Sequence, residues 1–259
     1  MSETLRMRVF AGPNGSGKST VIKYLKALRV NNQPIDFGIY INADDIAVCL
    51  TDDTFSFNDY NIEVTRQQFI DVALASGLVG DDFNEEAFGA SFRFRANRIH
   101  LLHADAKERL AQIIADFLRK TLLQAGKKFS FETVFSHHSK LDIMKEAVAA
   151  GYKVYLYFVS TESADINVYR VSARKQKGGH DVPEDKIRGR YQRSLDLLYD
   201  ASQLAYQAFY FDNSEDGKTD VPMFAHFKLV SGKKKWDEID EEQVPEWFVR
   251  HYSDKVSRK

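Results

Sequence analysis

Residues 12–19 read Gly-Pro-Asn-Gly-Ser-Gly-Lys-Ser and match the pattern G-x-x-x-x-G-K-[ST] at every fixed position. The apolar run 7–11 precedes this stretch, and residues 20–28 follow it with apolar side chains at helical spacing. Strand, glycine-rich loop and helix is the order that a phosphate-binding loop requires. Its glycines let backbone N–H groups converge on phosphate oxygens, while Lys18 reaches the β and γ phosphates and Ser19 is placed to ligate magnesium. The stretch therefore predicts a site for a nucleoside triphosphate.

The cofactors expected from this pattern are ATP and Mg²⁺, with Ser19 as the metal residue. A glycine turn that binds nothing is the alternative, and it has no use for Lys and Ser at this register. The residues expected to hold the nucleotide are Gly12, Pro13, Asn14, Gly15, Ser16, Gly17, Lys18, Ser19 and Thr20.

Composition narrows the class of protein. The 259 residues are 44% hydrophobic and 13% aromatic, which suffices for a packed core. The net charge of −1 gives no bulk field toward nucleic acid or an anionic membrane, so we expect neither as a partner. Cys49 is the only cysteine, which excludes an internal disulfide. With no apolar signal core and no apolar run of about 18 residues, the sequence predicts a soluble cytoplasmic protein.

Strand-like and helix-like segments alternate along the chain, which predicts an α/β fold with a mostly parallel, five-stranded sheet between helices. The predicted strands are 7–11, 37–42, 128–134, 153–159 and 208–212. The predicted helices are 18–29, 104–124, 139–150, 163–176 and 184–200. Ligands are expected to gather at the carboxyl ends of the strands.

We expect one domain over residues 1–259 that carries two additions. About 51–103 is a helical insertion, with one helix near 62–75 and a basic, aromatic stretch at 91–98. That stretch either stacks on bases or forms a solvated rim over a local core, and the neutral net charge favours the rim. From about 222 onward we expect an edge strand or hairpin, with strand 224–230 followed by a solvated loop at 233–242.

Carboxylates mark the ends of two predicted strands. Asp44 and Asp45 follow the second strand, where a general base can meet a hydroxyl near the γ-phosphate, although either residue can instead cap the next helix. We favour catalysis for Asp44 and capping for Asp45. Glu132 lies near the end of the third strand, where a charge requires a partner such as a substrate hydroxyl, magnesium or an arginine. Ser136 follows as either a substrate contact or a helix cap.

Arginines cluster after the fourth strand. Arg174 and Arg190 lie on two predicted helices on either side of Gly178 and Gly179, an arrangement typical of a lid that closes over ATP. The alternative is that part of this cluster is only a solvated face. After the fifth strand, Asn213 either hydrogen-bonds adenine or forms an Asx turn.

Four stretches together resemble the zeta-toxin family of P-loop kinases. They are Ala-Gly-Pro-Asn-Gly-Ser-Gly-Lys-Ser-Thr at 11–20, Ile-Asn-Ala-Asp at 41–44, Phe-Glu-Thr-Val-Phe-Ser at 131–136, and Arg174 through Gly-Gly-His-Asp-Val-Pro to Arg-Tyr-Gln-Arg-Ser at 190–194. The resemblance covers most of the chain except the insertion and the tail. It implies a three-layer αβα sandwich, ATP-dependent phosphorylation of a small-molecule hydroxyl and, in the best-known toxins, UDP-N-acetylglucosamine as the acceptor.

The same resemblance assigns roles to individual residues. Lys18 and Ser19 hold phosphate and magnesium, Asp44 is the base, and Glu132 contacts the substrate. Arg174 and Arg190 bracket the γ-phosphate. The remaining candidate substrate contacts are Thr133 and Ser136. An antitoxin protein is the candidate macromolecular partner.

Two other functions remain open on the residues alone. One is a kinase for a different small acceptor, such as a nucleoside, an antibiotic or another sugar. The other is a P-loop ATPase or switch that acts on a protein or nucleic acid through residues 92–98.

Overall fold

The computed structural model describes residues 4–80, 82–176, 182–215 and 221–257. The strands are β1 Arg6–Ala11, β2 Arg29–Val30, β3 Gln33–Pro34, β4 Ile39–Ile41, β5 Phe92–Arg95, β6 Arg98–Leu101, β7 Phe129–Thr133, β8 Lys153–Ser160, β9 Gln207–Asp212, β10 Met223–Val230 and β11 Lys233–Trp236. The helices are α1 Lys18–Ala27, α2 Ala43–Thr51, α3 Arg66–Leu74, α4 Glu85–Ala90, α5 Lys107–Gln124, α6 Ser139–Ala149, α7 Ala164–Gln176, α8 Glu184–Asp196, α9 Leu198–Leu204, α10 Glu246–Phe248 and α11 Asp254–Ser257. Glycines 178 and 179, predicted to form the elbow between the arginine helices, lie outside the described residues.

The chain divides into two compact units. The first unit comprises residues 1–37 and 132–259, and the second comprises residues 38–131. The single-domain expectation remains a prediction, but the second unit does contain the predicted insertion together with β4 and α5.

Seven strands form the main sheet, so the fold is the mixed α/β class that the sequence predicted. In the first unit the strand order is β11-β10-β9-β8-β1, with β1, β8 and β9 parallel and β10 antiparallel to its two neighbours. In the second unit β4 pairs in parallel with β7. The sheet exceeds the predicted five strands because the C-terminal hairpin adds two.

The centre of the first unit is built on β1 and β8. Five of the six residues of β1 are buried, as are the last five of β8, because a parallel strand in the middle of a sheet is covered on both faces. This explains why residues 153–159 read as a nearly continuous apolar run. The carboxyl ends of β1, β8 and β9 lie at one edge of the sheet because the strands are parallel.

The second unit has an aromatic core of its own. Phe57, Phe69 and Phe117 pack with ring centroids 5.3 to 6.0 Å apart. The hairpin β5–β6 turns Phe92 into this core and stacks Phe94 on Phe57. Its arginine side chains, by contrast, point to solvent. Residues 91–98 therefore form a rim over a local core, with Phe92 buried and Phe94 partly exposed.

Two local expectations were wrong. The predicted helix 184–200 is two helices, α8 and α9, with the break at Leu197. The predicted solvated loop 233–242 begins instead with β11, which pairs with β10 and stacks Trp236 on Tyr210 at 6.0 Å. Side chains alternate between the two faces of β11, so Trp236 lies on the more buried face and Lys233 and Lys235 are exposed. Exposed lysines commonly protect the edge of a sheet from pairing with another strand. Across the described ranges, no helix is long and apolar enough to cross a membrane.

Candidate active site

The loop between β1 and α1 adopts a backbone that only glycine can provide at two points. Gly12 has φ +145°, and a Cβ there would lie 2.0 Å from the carbonyl oxygen of Val159. Gly17 has φ +94°, and a Cβ there would lie 2.1 Å from Nδ2 of Asn213. Both contacts are far shorter than atoms tolerate, so the glycines allow β8 and the end of β9 to approach the loop closely.

Two asparagines hold the outer side of the loop. Asn167 of α7 is fully buried, and its Nδ2 donates to the carbonyl oxygen of Asn14 at 2.6 Å. Its own Oδ1 accepts a hydrogen bond from Thr161. Asn213 donates from Nδ2 to the carbonyl oxygen of Ser16 at 2.9 Å. The Asn213 side chain therefore supports the loop, and its predicted contact with adenine remains a prediction.

With two of its carbonyl groups held from outside, the loop keeps donors for a ligand. Gly15 and Gly17 find no acceptor for their backbone N–H groups among residues the structure describes. Gly17 is also the N-cap of α1, whose partial positive charge favours anions. Amides at a helix N-terminus are the donors that bind phosphate in such loops, so this loop fits a triphosphate.

Lys18 and Glu132 meet beside the loop. The Lys18 ammonium donates to the carbonyl oxygens of Gly12 at 3.0 Å and Pro13 at 2.9 Å, and it lies 3.9 Å from Oε1 of Glu132. Both side chains are largely buried. Glu132 thus has the cationic partner that a charge at this position requires. Its predicted contact with substrate remains a prediction.

The loop after β7 is tightly turned. Phe135 is buried with φ +58°, an uncommon conformation for a bulky residue, and its N–H donates to Oγ1 of Thr133 at 3.2 Å. The carbonyl oxygen of Ser136 accepts from Nε of Arg193 at 3.3 Å. Thr133 therefore stabilises its own turn, and the turn carries Ser136 toward α8.

The arginines of α7 and α8 divide into different roles. Arg190 lies half-buried with Nη1 3.4 Å from Oδ1 of Asn14, and its pKa is lowered by burial and by the neighbouring charge of Arg193. An anion beside these two like charges would be stabilised. Arg170 instead donates to the carbonyl oxygen of Asn213 at 2.6 Å and so holds in place the residue that supports the loop. Arg174 is exposed in the last turn of α7.

The candidate base lies in the second unit. Asn42 is the N-cap of α2, because its Oδ1 accepts from the N–H of Asp44 at 2.9 Å. Asp44 and Asp45 are exposed in the first helical turn, where the partial positive charge of the helix N-terminus stabilises a negative side chain. Neither aspartate is therefore the capping residue, and the catalytic assignment of Asp44 remains a prediction.

The structure also bears on the predicted metal. Within the described part of the chain, no three His, Cys, Asp or Glu side chains are grouped to hold an ion. Ser19 is exposed at the second position of α1, where its hydroxyl can serve as one ligand. Mg²⁺ takes its other ligands readily from phosphate oxygens and water, so this sparse donor set fits magnesium carried by a nucleotide.

Comparisons with known proteins give the fold a name. No family model matches the chain. An uncharacterized protein of Haemophilus influenzae is 35% identical over 63 residues, which are 24% of this chain and 45% of that protein. The PezAT toxin-antitoxin system of Streptococcus pneumoniae matches with a TM-score of 0.48 and 9% identity over 86% of this chain and 71% of its own. The native AvrRxo1-ORF1:ORF2 complex matches with a TM-score of 0.54 and 14% identity over 98% of this chain. The chain therefore shares the mixed α/β fold of the AvrRxo1-ORF1:ORF2 structure that it matches.

The same AvrRxo1 complex crystallised with ATP matches with a TM-score of 0.51 and 14% identity over 96% of this chain. The chain spans 45% of the Haemophilus influenzae protein, and 64 and 65% of the AvrRxo1 chains in the ATP and native forms. At 14% identity, the likeness to the AvrRxo1 structures shows a shared fold.

Most of the predicted site residues belong to the first unit. They are residues 12–20 of the loop, Glu132, Thr133, Ser136, Arg174, Arg190 and Asn213. Asn167 was missed because a single Asn inside a helical pattern carries no sequence signal for a contact 153 residues away.

Proposed function

We propose that this protein is an ATP-dependent kinase that transfers the γ-phosphoryl group to a hydroxyl of a small molecule. The observation that carries the proposal is the loop 12–19, whose amides at Gly15 and Gly17 lack acceptors among the described residues while Asn167 and Asn213 hold its carbonyl groups. Preorganised donors of this kind are what stabilises phosphate charge during transfer. The match in fold to the AvrRxo1-ORF1:ORF2 complex crystallised with ATP supports ATP as the donor.

Each residue then has a physical task. Lys18 and the loop amides hold the β and γ phosphates, and Ser19 holds Mg²⁺, which supplies charge neutralisation on the phosphate oxygens when bound. Arg190 places a guanidinium at Asn14 of the loop and would stabilise the charge that develops on the transferred group. Asp44 orients the acceptor hydroxyl and accepts its proton. Glu132 keeps Lys18 in place, and Arg174 completes the lid.

The acceptor and the partner are narrower parts of the proposal. A UDP-activated amino sugar, such as UDP-N-acetylglucosamine, is the first acceptor to test because four stretches of this sequence resemble the zeta-toxin family. A protein partner such as an antitoxin is also proposed, since AvrRxo1-ORF1 crystallised in complex with ORF2. The protein is proposed to act in the cytoplasm.

The decisive experiment compares two neighbouring carboxylates. The protein is incubated with γ-labelled ATP, magnesium and UDP-N-acetylglucosamine, then with a cell metabolite extract, and labelled products are identified by mass. We expect a labelled metabolite with the wild type and with Asp45→Asn, and loss of about 10²- to 10⁴-fold with Asp44→Asn, the usual worth of a general base. ATP binding, measured by calorimetry, should persist in both variants.

The outcomes separate the possible functions. Rapid ATP hydrolysis without any labelled metabolite would favour an ATPase or switch over a kinase. Full activity of Asp44→Asn would remove the base assignment while leaving the kinase proposal intact. A labelled metabolite other than the sugar nucleotide would correct the acceptor alone.

A further inference from the structure

A second cleft lies in the first unit on one face of β1, β8 and β9. Its volume is about 650 Å³, within the range of small-molecule sites. Arg8, Tyr155 and Gln207 are aligned across the three strands, and Tyr157 and Phe209 follow two residues further along, so all five side chains share this face. None of the residues of the phosphate-binding loop lines this cleft.

The cleft is mostly apolar. Tyr157 and Phe209 stack at 4.7 Å, and the row continues to Phe10 at 4.8 Å and His226 at 4.3 Å. Around the mouth, three large side chains are half-exposed, which is an unusual concentration for a soluble surface. They are Tyr24 at 50%, Val30 at 53% and Met223 at 48%.

One end of the cleft holds a buried cation. Arg8 is 7% exposed, donates from Nη1 to the Tyr157 hydroxyl at 2.7 Å and from Nε to the carbonyl oxygen of Asp36 at 2.9 Å, and lies 4.6 Å above the Tyr155 ring. These partners are neutral, since burial raises the pKa of Tyr157 and keeps its hydroxyl protonated. Among the residues described, no carboxylate oxygen lies within 4.0 Å of the Arg8 guanidinium, and the Asp36 carboxylate lies 3.9 Å from Arg6 instead.

A buried charge without an opposite charge is costly, and an anion in the cleft would offset that cost. A guanidinium binds carboxylates in a planar, paired geometry. Gln207 of β9 lies at the same level of the sheet as Arg8. The cleft runs along β9 from Gln207 to Phe211, which is about 13 Å at the usual rise per residue of a strand. A cation at one end and apolar walls along the rest suit a narrow ligand with an anionic head and an apolar body.

We propose that this cleft binds an apolar carboxylic acid of about the length of decanoate. The carboxylate meets Arg8, and the apolar body lies along β9 toward Phe211 and Met223. This site is independent of the nucleotide site and of the kinase proposal.

The test uses decanoate and decanol, which share an apolar body and differ in the charged head. Displacement of the fluorescent probe 8-anilinonaphthalene-1-sulfonate and direct calorimetry, both below the micelle concentration, should show decanoate binding about tenfold or more tightly than decanol, as expected for a charge-assisted pair. Arg8→Gln should reduce decanoate affinity to that of decanol. Met223→Glu should weaken decanoate binding about tenfold because it replaces an apolar contact of the decanoate body with a charged side chain.

Val230→Glu is the matched control because Val230 lies on the same strand as Met223, is also 48% exposed and is outside the cleft. It should bind decanoate as the wild type does, and Met223→Glu keeps the test valid if Arg8→Gln fails to fold. Equal affinity for decanoate and decanol, or no binding of either, would overturn the proposal. So would a concentration-dependent dimer that Met223→Glu dissociates, because a second copy would then be the occupant.

Discussion

Asn213 shows how one side-chain amide can shape a phosphate-binding loop. Its Nδ2 reaches the carbonyl oxygen of Ser16 at 2.9 Å, and the carboxylate of Asn213→Asp would be isosteric but unable to donate. We expect this variant to raise the Kd for MgATP about tenfold or more, because a lost buried hydrogen bond and a new negative charge both oppose phosphate binding. Calorimetry would measure it, with the exposed Asn31→Asp as control. Unchanged affinity would contradict the supporting role of Asn213.

Single residues also show where sequence reasoning ends. The roles proposed for Lys18 and Gly17 follow from local spacing, since a glycine loop between a strand and a helix has a narrow range of uses. The support from Asn167 and Arg170 does not follow, because each reaches the loop or its neighbour across a long sequence separation. Arg170 belongs to the arginine cluster after the fourth strand, and the structure shows that it holds the carbonyl oxygen of Asn213. Tertiary contacts of this kind leave no periodic signal.

Helix α8 carries three arginines, and the structure makes Arg188 and Arg190 chemically different. Arg190 approaches Asn14 of the loop and lies near the like charge of Arg193, whereas Arg188 is paired with Asp165 and Glu184. Inorganic triphosphate should therefore stabilise the protein through Arg190. We expect Arg190→Gln to weaken triphosphate binding about tenfold or more, as for a charge-assisted hydrogen bond, and Arg188→Gln to leave it unchanged. Equal losses in both variants would indicate a diffuse field of positive charge.

The lysines of β11 favoured a solvated loop at 233–242, yet Lys234 packs against two rings. Its ammonium lies 4.7 Å from the Phe227 ring centroid and donates to the Tyr252 hydroxyl at 3.1 Å. Burial lowers the pKa of Lys234 to about 8, whereas in the unfolded chain it returns to its ordinary value of 10.5. Between these values the unfolded chain binds more protons, so the contribution of Lys234 to stability rises with pH, and below pH 8 the cost of burying its charge is complete.

This predicts a pH-dependent effect of Lys234→Met. Relative to the wild type, the variant should lose about 1 kcal/mol in free energy of unfolding between pH 7 and pH 9.5, a figure reduced for the half-exposed position of the lysine. Urea denaturation at the two pH values measures the difference. Lys235→Met, at an exposed position of the same strand, is the control. A Lys234→Met effect that is identical at both pH values would exclude the titration of this lysine.

For the molecule as a whole, the sequence predicted the order of elements better than their grouping. The parallel strands and their helices follow from apolar periodicity, and the long connection after β4 indicated an insertion. Periodicity does not report how far a compact unit extends, and the second unit includes β4 and α5 as well as residues 51–103. The aromatic core around Phe57, Phe69 and Phe117 explains this grouping, because helix α5 supplies one of its rings.

Ligand binding should appear in the stability of the whole molecule. A nucleotide that binds only the folded state at 100 times its Kd adds about 2.7 kcal/mol to the free energy of unfolding, which corresponds to a rise in Tm of roughly 5 °C or more. We expect MgATP to produce this rise in the wild type and in Lys23→Ala, an exposed position of α1. Lys18→Ala removes the ion pair with Glu132 and so lowers the starting stability, which makes the shift caused by MgATP the informative quantity rather than the starting Tm. If Lys18→Ala shifts as far as the wild type, the Lys18 ammonium does not contribute to triphosphate binding, and its contacts with Gly12, Pro13 and Glu132 are structural.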